Sequence, residues 1–429
     1  MNQYIFTAGH RNVLFGAMGL GIVCLILTYI GDDAYHTRFW TNFLHNSVFF
    51  TMISAMALFF IAACITAYAG WHTTFKRVWE AYSMFLIVGL VLLAIVGLGN
   101  YMHWHHLYHW ADEASVESDP ILKGKASFLN KNWYMLGTVI FVGIWSYFAY
   151  KLRKLSLDED HSGNTNFTHH KSMRFWAAIV LPIFGFSSAA MIWQWVMSVD
   201  AHWYSTLFAW YSTASAFVSM IALTILLIIF LKTNGYFAVV NENHIHDLGK
   251  FLFAISVFWT YLWFSQFMLI WYANIGEETI YFRERYDNYP ILFFGNLIIN
   301  FLVPFFVLMR NDTKRKFGSV SFVAIIVLLG HWVDYFLMIK PGALINRNHA
   351  LGHGAENHGS ENAGHGAEHA GEHVSDFVAG FSMPGLLELG TFIGFLGLFL
   401  YVSLSVLSKS ALVPKNDPYL DESLHHHVI

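Results

Sequence analysis

The sequence predicts an all-α, polytopic membrane protein of about ten transmembrane helices. Three observations lead there. Of 429 residues, 56% are hydrophobic and only 12% are charged, whereas a soluble domain carries about 25% charged residues. The apolar residues are not dispersed but fall into runs of bilayer-crossing length, for which roughly 20 residues suffice. Inside lipid the backbone must satisfy its own hydrogen bonds, so each run is expected to be a helix.

The expected spans, in order, cover 12–30, 46–69, 82–102, 132–150, 175–197, 204–231, 249–272, 290–309, 318–339 and 385–408. Several carry Ser, Thr and Gly where helices could pack closely. The first run has no small-residue cleavage site, so it is expected to be a retained span rather than a signal peptide. Lys and Arg give the orientation. Both termini and the loops after spans 2, 4, 6 and 8 share one side, which holds 16 of the 24 Lys and Arg. Lys76, Arg77, Lys151, Arg153, Lys154, Arg310, Lys314, Arg315 and Lys316 are among them. Both termini are therefore expected in the cytoplasm, and the odd-numbered loops on the far side, the periplasm of a bacterial inner membrane.

Residues 342–380 break the pattern. They are rich in Gly, Ala, His and Glu, with a near-repeat in HGAENHGSENAGHGAEHAGEH. Such a composition buries no core and is expected to form a flexible loop. The chain thus divides into 1–341 with nine spans, the 342–380 loop, and 381–429 with span 10 and a tail.

Several chemistries find no support. Net charge is −4, so nothing points to nucleic acid. Cys24 and Cys64 lie in separate apolar runs with no CxxC or CxxCH pattern, so no covalent haem or four-Cys cluster is expected. Of the histidines, His331 alone is clearly placed inside a span, which disfavours a haem held by two of them. The six histidines from His349 to His373 lack the tight spacing of a metal site, and no metal is expected. His425, His426 and His427 look like a tail.

Ionisable residues within or beside spans are functional candidates by default. They gather toward the side expected to be periplasmic. Asp32, Asp33 and His36 follow span 1, while His103, His105, His106 and His109 leave span 3. Asp200 and His202 join spans 5 and 6, Glu277 and Glu278 end span 7, and Glu388 opens span 10. His331 and Asp334 lie three apart on span 9, hence on one helical face. A His beside a carboxylate can accept and pass a proton near neutral pH, so Asp200, His202, His331 and Asp334 are proton-transfer candidates. Ser205, Thr206, Ser212, Thr213, Ser215 and Ser219 extend along span 6 as a candidate proton pathway. The competing account is that helix-end residues are solvated and that intramembrane hydroxyls are interhelical glue.

Two stretches, SVDAHWYST (Ser198 to Thr206) and SQFMLIWYANIGEE (Ser265 to Glu278), together with the ten-span layout, resemble the NrfD-type membrane subunits, and within them the ActF type of bacterial alternative complex III. The resemblance covers roughly residues 10–410. It implies two four-helix bundles, spans 2–5 and 6–9, plus two peripheral helices. It also implies membership of a complex that oxidises quinol, usually menaquinol. An ActC-like membrane subunit, an iron–sulfur subunit and c-type haem subunits would be its partners, with a terminal oxidase downstream. The iron–sulfur clusters and haem would belong to those partners, with no redox group bound covalently here. Glu277, Glu278, His103 and His106 are then candidates for a quinone-side pocket, and Asp200, His202, Glu277 and Glu278 are the polar positions that match the family stretches. The quinol site itself is attributed to the ActC type, so a quinol pocket, a proton conduit and a pure scaffold all remain open for this chain. An independent secondary transporter is disfavoured, because broken helices and midplane charges are its usual signs.

Overall fold

The computed structural model describes residues 3–163, 166–351 and 377–427. Ten helices in it are long and apolar enough to cross a membrane, and the chain is an all-α, multi-pass membrane protein. Spans 1 to 10 are Ala8–Ile30, Thr37–Thr66, Thr73–Tyr101, Lys131–Ser162, Thr168–Val199, Thr206–Thr233, Glu242–Ala273, Pro290–Leu308, Phe317–Ala350 and Leu386–Leu407.

Spans 2–5 pack as one ring of four helices and spans 6–9 as a second. Span 2 joins the bundles, touching spans 6 and 9 as well as its own partners, and it is buried along most of its length. Spans 1 and 10 form a separate pair against spans 2 and 3. That pair is close because both helices present glycine. A Cβ added at Gly21 would lie 2.5 Å from the Cα of Gly394, the approach that small residues permit in membranes.

Helix ends explain where the boundaries differ from expectation. Span 4 runs to Ser162 and span 5 starts at Thr168. At 1.5 Å per residue a helix of this length spans about 48 Å, so both project beyond a hydrocarbon core of roughly 30 Å. Span 2 starts at Thr37, nine residues earlier than expected. Its first turns carry Asn42, His45 and Asn46, all buried, and with His170, His244 and His246 also buried in span helices, His331 is not the lone histidine inside a span.

Span 9 departs most. It continues through Lys340, Pro341 and Gly342 to Ala350, so residues 342–350 are helix rather than loop. Pro341 has no N–H to offer the Leu337 carbonyl. Arg285 Nε donates to that carbonyl instead, at 2.9 Å, and the helix goes on. The remaining part of the expected loop, 352–376, with the histidines from His353 to His373, lies outside the described residues.

Span 8 changes its winding. Ile298–Leu302 is a π-helical turn between Pro290–Leu297 and Val303–Leu308, and Val303 N–H bonds back to the Ile298 carbonyl. Pro304 supplies the cause, since it cannot donate to the carbonyl of Asn300. Such bulges are frequent at functional sites, and this one carries the buried Asn300.

Span 7 ends at Ala273, with Asn274 in the left-handed region at φ 49°. A separate helix, Gly276–Asn288, follows. Glu277 and Glu278 therefore sit in the first turn of that helix, where negative charge suits the helix dipole, and not at the end of span 7. The tail is also ordered. Lys76 pairs with Asp417, Ser423 bonds the Trp71 carbonyl at 3.0 Å, and His426 meets Asp247 at 2.6 Å. Residues 417–426 thus strap the ends of spans 3 and 7.

Candidate functional site: a buried carboxylate in the second bundle

Asp334 and His331 are both fully buried at the centre of the second bundle. Their i, i+3 spacing brings His331 Nδ1 to 3.8 Å from Asp334 Oδ2. Three neighbouring spans send neutral donors to the carboxylate. Tyr211 of span 6 donates its hydroxyl to Oδ1. Asn296 of span 8 donates to Oδ1 at 2.7 Å, and Trp259 Nε1 of span 7 donates to Oδ2 at 2.9 Å. Among the described residues, no Lys or Arg forms an ion pair with Asp334. A charge held in low dielectric by dipoles alone is costly and marks function more often than stability.

His331 continues the chain of contacts inward. Its Nδ1 is 2.9 Å from Ser215 Oγ, and its buried Nε2 has no hydrogen-bond partner. Ser219 Oγ bonds the Ser215 carbonyl at 2.9 Å. Ser212 Oγ is 3.1 Å from the Tyr335 hydroxyl. Asn300 bonds Asn296 at 2.5 Å, while its own Oδ1 is buried without a partner. The Asp334 carboxylate, the Tyr211 phenol, the His331 imidazole and the Ser215 hydroxyl stand in sequence as groups able to hold a proton and relay it, while Ser212 and Tyr335 form a separate pair beside them.

The expected span-6 pathway divides in this geometry. Ser212, Ser215 and Ser219 recur at i, i+3 and i+7, and all face span 9. Thr213, one residue on, turns about 100° away and lines an apolar cavity of about 220 Å³ between the two bundles, with Phe59, Phe184 and Trp210. Ser205 and Thr206 sit at the start of the span and line a surface cavity with Lys125 and Tyr204. Half of the six residues share the face that reaches Asp334.

Asp200 and His202 also part company. Asp200 turns inward and pairs with Arg285 Nη2 at 2.9 Å. Burial pushes its carboxyl up from the ordinary range, against the pull of the guanidinium. Gly342 of span 9 packs on it so closely that a Cβ would lie 2.6 Å from Oδ1. His202 turns outward and bonds Asp119 Oδ2 at 2.5 Å.

The expected quinone-side residues do not converge. Glu277 is exposed and Glu278 half-exposed, on the helix after span 7. His103 and His106 line a different cavity, of about 420 Å³, with Asn100, His105, His109 and His349. Asn100 is buried there with neither side-chain polar atom bonded. Burial pushes His106 and His109 down, and His105 down to about 4.

Span 9 presents a second polar cluster on its other side. Lys340 Nζ bonds Asn42 Oδ1 at 2.6 Å, and Asn42 Nδ2 reaches Glu388 at 3.1 Å. Glu388 also takes both arms of Arg38, at 2.7 and 2.9 Å. Among the described residues, no group of three or more His, Cys, Asp or Glu is arranged to hold a metal ion.

His331 and Asp334 are legible in the sequence, whereas Tyr211, Trp259 and Arg285 are not. Asn296 and Asn300, four apart on an apolar run, are a readable signal of a polar helix face. Tyr211 and Trp259 gave none, because aromatic residues crowd every span. No family model matches the chain, and no curated protein matches it.

Proposed function

We propose that this chain is an NrfD-type membrane subunit of a quinol-oxidising respiratory complex, similar to bacterial alternative complex III, and that its second bundle moves protons. The observation that carries the proton role is the environment of Asp334. A carboxylate at the heart of four helices, held by Tyr211, Trp259 and Asn296 with His331 beside it, can gain and lose a proton without any side chain leaving its place. A scaffold has no use for so costly a group.

Quinol oxidation releases two protons with two electrons. In this reading the electrons leave through the iron–sulfur and c-type haem groups of partner subunits. Menaquinol is the expected donor, an ActC-like subunit is the expected neighbour, and a terminal oxidase takes the electrons onward. The chain sits in a bacterial inner membrane with both termini in the cytoplasm. The Lys and Arg excess on the side of the termini supports that orientation. This chain's part is to take a proton at Asp334 and pass it by His331, Ser215 and Tyr211.

A second reading gives the chain a quinol headgroup of its own. The cavity at His103 and His106 favours it, because Asn100 offers an unpartnered donor and acceptor there. One experiment separates the two. Quinol oxidation and proton release per electron are measured on the purified, assembled complex carrying Asp334→Asn, and again with Asn100→Leu. The proton role requires oxidation to continue in Asp334→Asn while proton release falls. Loss of oxidation in Asn100→Leu alone supports the quinol site. Normal behaviour of both variants leaves a scaffold as the better account.

A further inference from the structure

Arg285 lies between the buried carboxylate and the outside. It shares a small cavity of about 20 Å³ with Tyr211, Asn296 and Gln266, room for a single water. Tyr211 and Asn296 are the two residues that bond Asp334 Oδ1. Gln266 is 4% exposed, and its Nε2 has no partner, so one wall of the cavity offers a free donor. On the far side stands the Arg285 guanidinium, paired with Asp200.

The guanidinium is held at every nitrogen. Nε donates to the Leu337 carbonyl at 2.9 Å, Nη1 to the Tyr281 carbonyl at 2.9 Å, and Nη2 to the Met338 carbonyl at 3.3 Å. Its centre rests 3.3 Å over the Tyr281 ring. The Leu337 carbonyl is available only because Pro341 gives it no N–H. One missing N–H thus anchors a positive charge in the wall of a cavity with room for one water.

We propose that Arg285 is an electrostatic barrier, closing the Asp334 site against proton exchange with the side on which Asp200 lies. This inference rests on the proton-moving reading above. A hydronium ion or a proton hopping through the cavity water must approach a unit positive charge in a medium of low dielectric. A fixed arginine excludes protons from a water-filled path in this way. Asp200 pairs with the guanidinium through Nη2.

The test is passive proton leak into proteoliposomes holding the assembled complex without quinol. Arg285→Gln should raise the leak several-fold over wild type, and adding Asp334→Asn should return it to the wild-type level. Arg285→Lys keeps the charge with fewer carbonyl contacts and should stay tight, which separates a charge barrier from a structural defect. A leak unchanged in Arg285→Gln, equal in the Gln and Lys variants, or indifferent to Asp334→Asn, would overturn the barrier. Turnover-linked proton release in Asp334→Asn alone reports on the underlying reading. If that release is normal, the proton role itself fails; if it falls while Arg285→Gln stays tight, only the barrier does.

Discussion

Trp259 donates its indole N–H to Asp334 Oδ2 at 2.9 Å, joining span 7 to span 9 inside the second bundle. A hydrogen bond to a charged group contributes about 1.5–3 kcal/mol. Trp259→Phe removes that donor and little else, so it should lower the unfolding temperature in detergent. It should also weaken proton release, since the carboxylate loses one of three donors. An unchanged melting temperature would show that the indole contact adds nothing to stability.

Glu388 and Arg38 form a buried two-pronged pair between spans 10 and 2. Removing one partner of a buried pair leaves the other charge uncompensated, at about 3–5 kcal/mol. Arg38 retains some exposure, so Glu388→Gln should fall at the lower end of that range. Arg38→Met with Glu388→Met should be milder than Glu388→Gln, which leaves both Arg38 and Lys340 without a carboxylate, and Arg38→Met alone should be milder still because Lys340 remains to face Glu388. Thermal unfolding of the three variants checks the order.

Gly21 and Gly394 let spans 1 and 10 touch backbone to backbone. Gly394→Leu should force the pair apart and destabilise by about 1–3 kcal/mol, the usual range for overpacking. Gly16 faces open space on span 1, and Gly16→Ala should stay within about 0.5 kcal/mol. Cysteine crosslinking between the two helices would report the separation directly.

His105 is buried against Trp40 and Gly99, and burial pushes its pKa down to about 4. The unfolded chain binds its proton near pH 6.5. Above pH 6.5 both states are neutral and the full stability is present. As pH falls from 6.5 to about 4, the unfolded state takes up a proton that the fold refuses, and up to about 3 kcal/mol is lost. His105→Gln should flatten the pH dependence in that window. A slope equal to wild type would place the acid sensitivity elsewhere.

Much of the fold was legible in the chain itself. Apolar runs of bilayer length are a one-dimensional property, and lipid leaves the backbone no choice but helix, so ten spans follow from composition alone. The i, i+3 spacing of His331 and Asp334 likewise needs only helical periodicity. Boundaries were less legible where polar ends project beyond the bilayer, as at Ser162 and Thr168. Lys340–Pro341–Gly342 reads locally as a helix stop.

Tertiary structure decided the rest. Whether Pro341 ends span 9 depends on Arg285, more than fifty residues away, donating to the Leu337 carbonyl. Whether Ser212 and Thr213 belong to one pathway depends on which face of span 6 meets span 9. Asp200 and His202 are neighbours in sequence, yet one is drawn inward by Arg285 and the other outward by Asp119. What each helix is can be read along the chain, because hydrophobicity and periodicity act locally. Only packing determined what each polar group meets, because a buried carboxylate takes its partners from helices that come together in space.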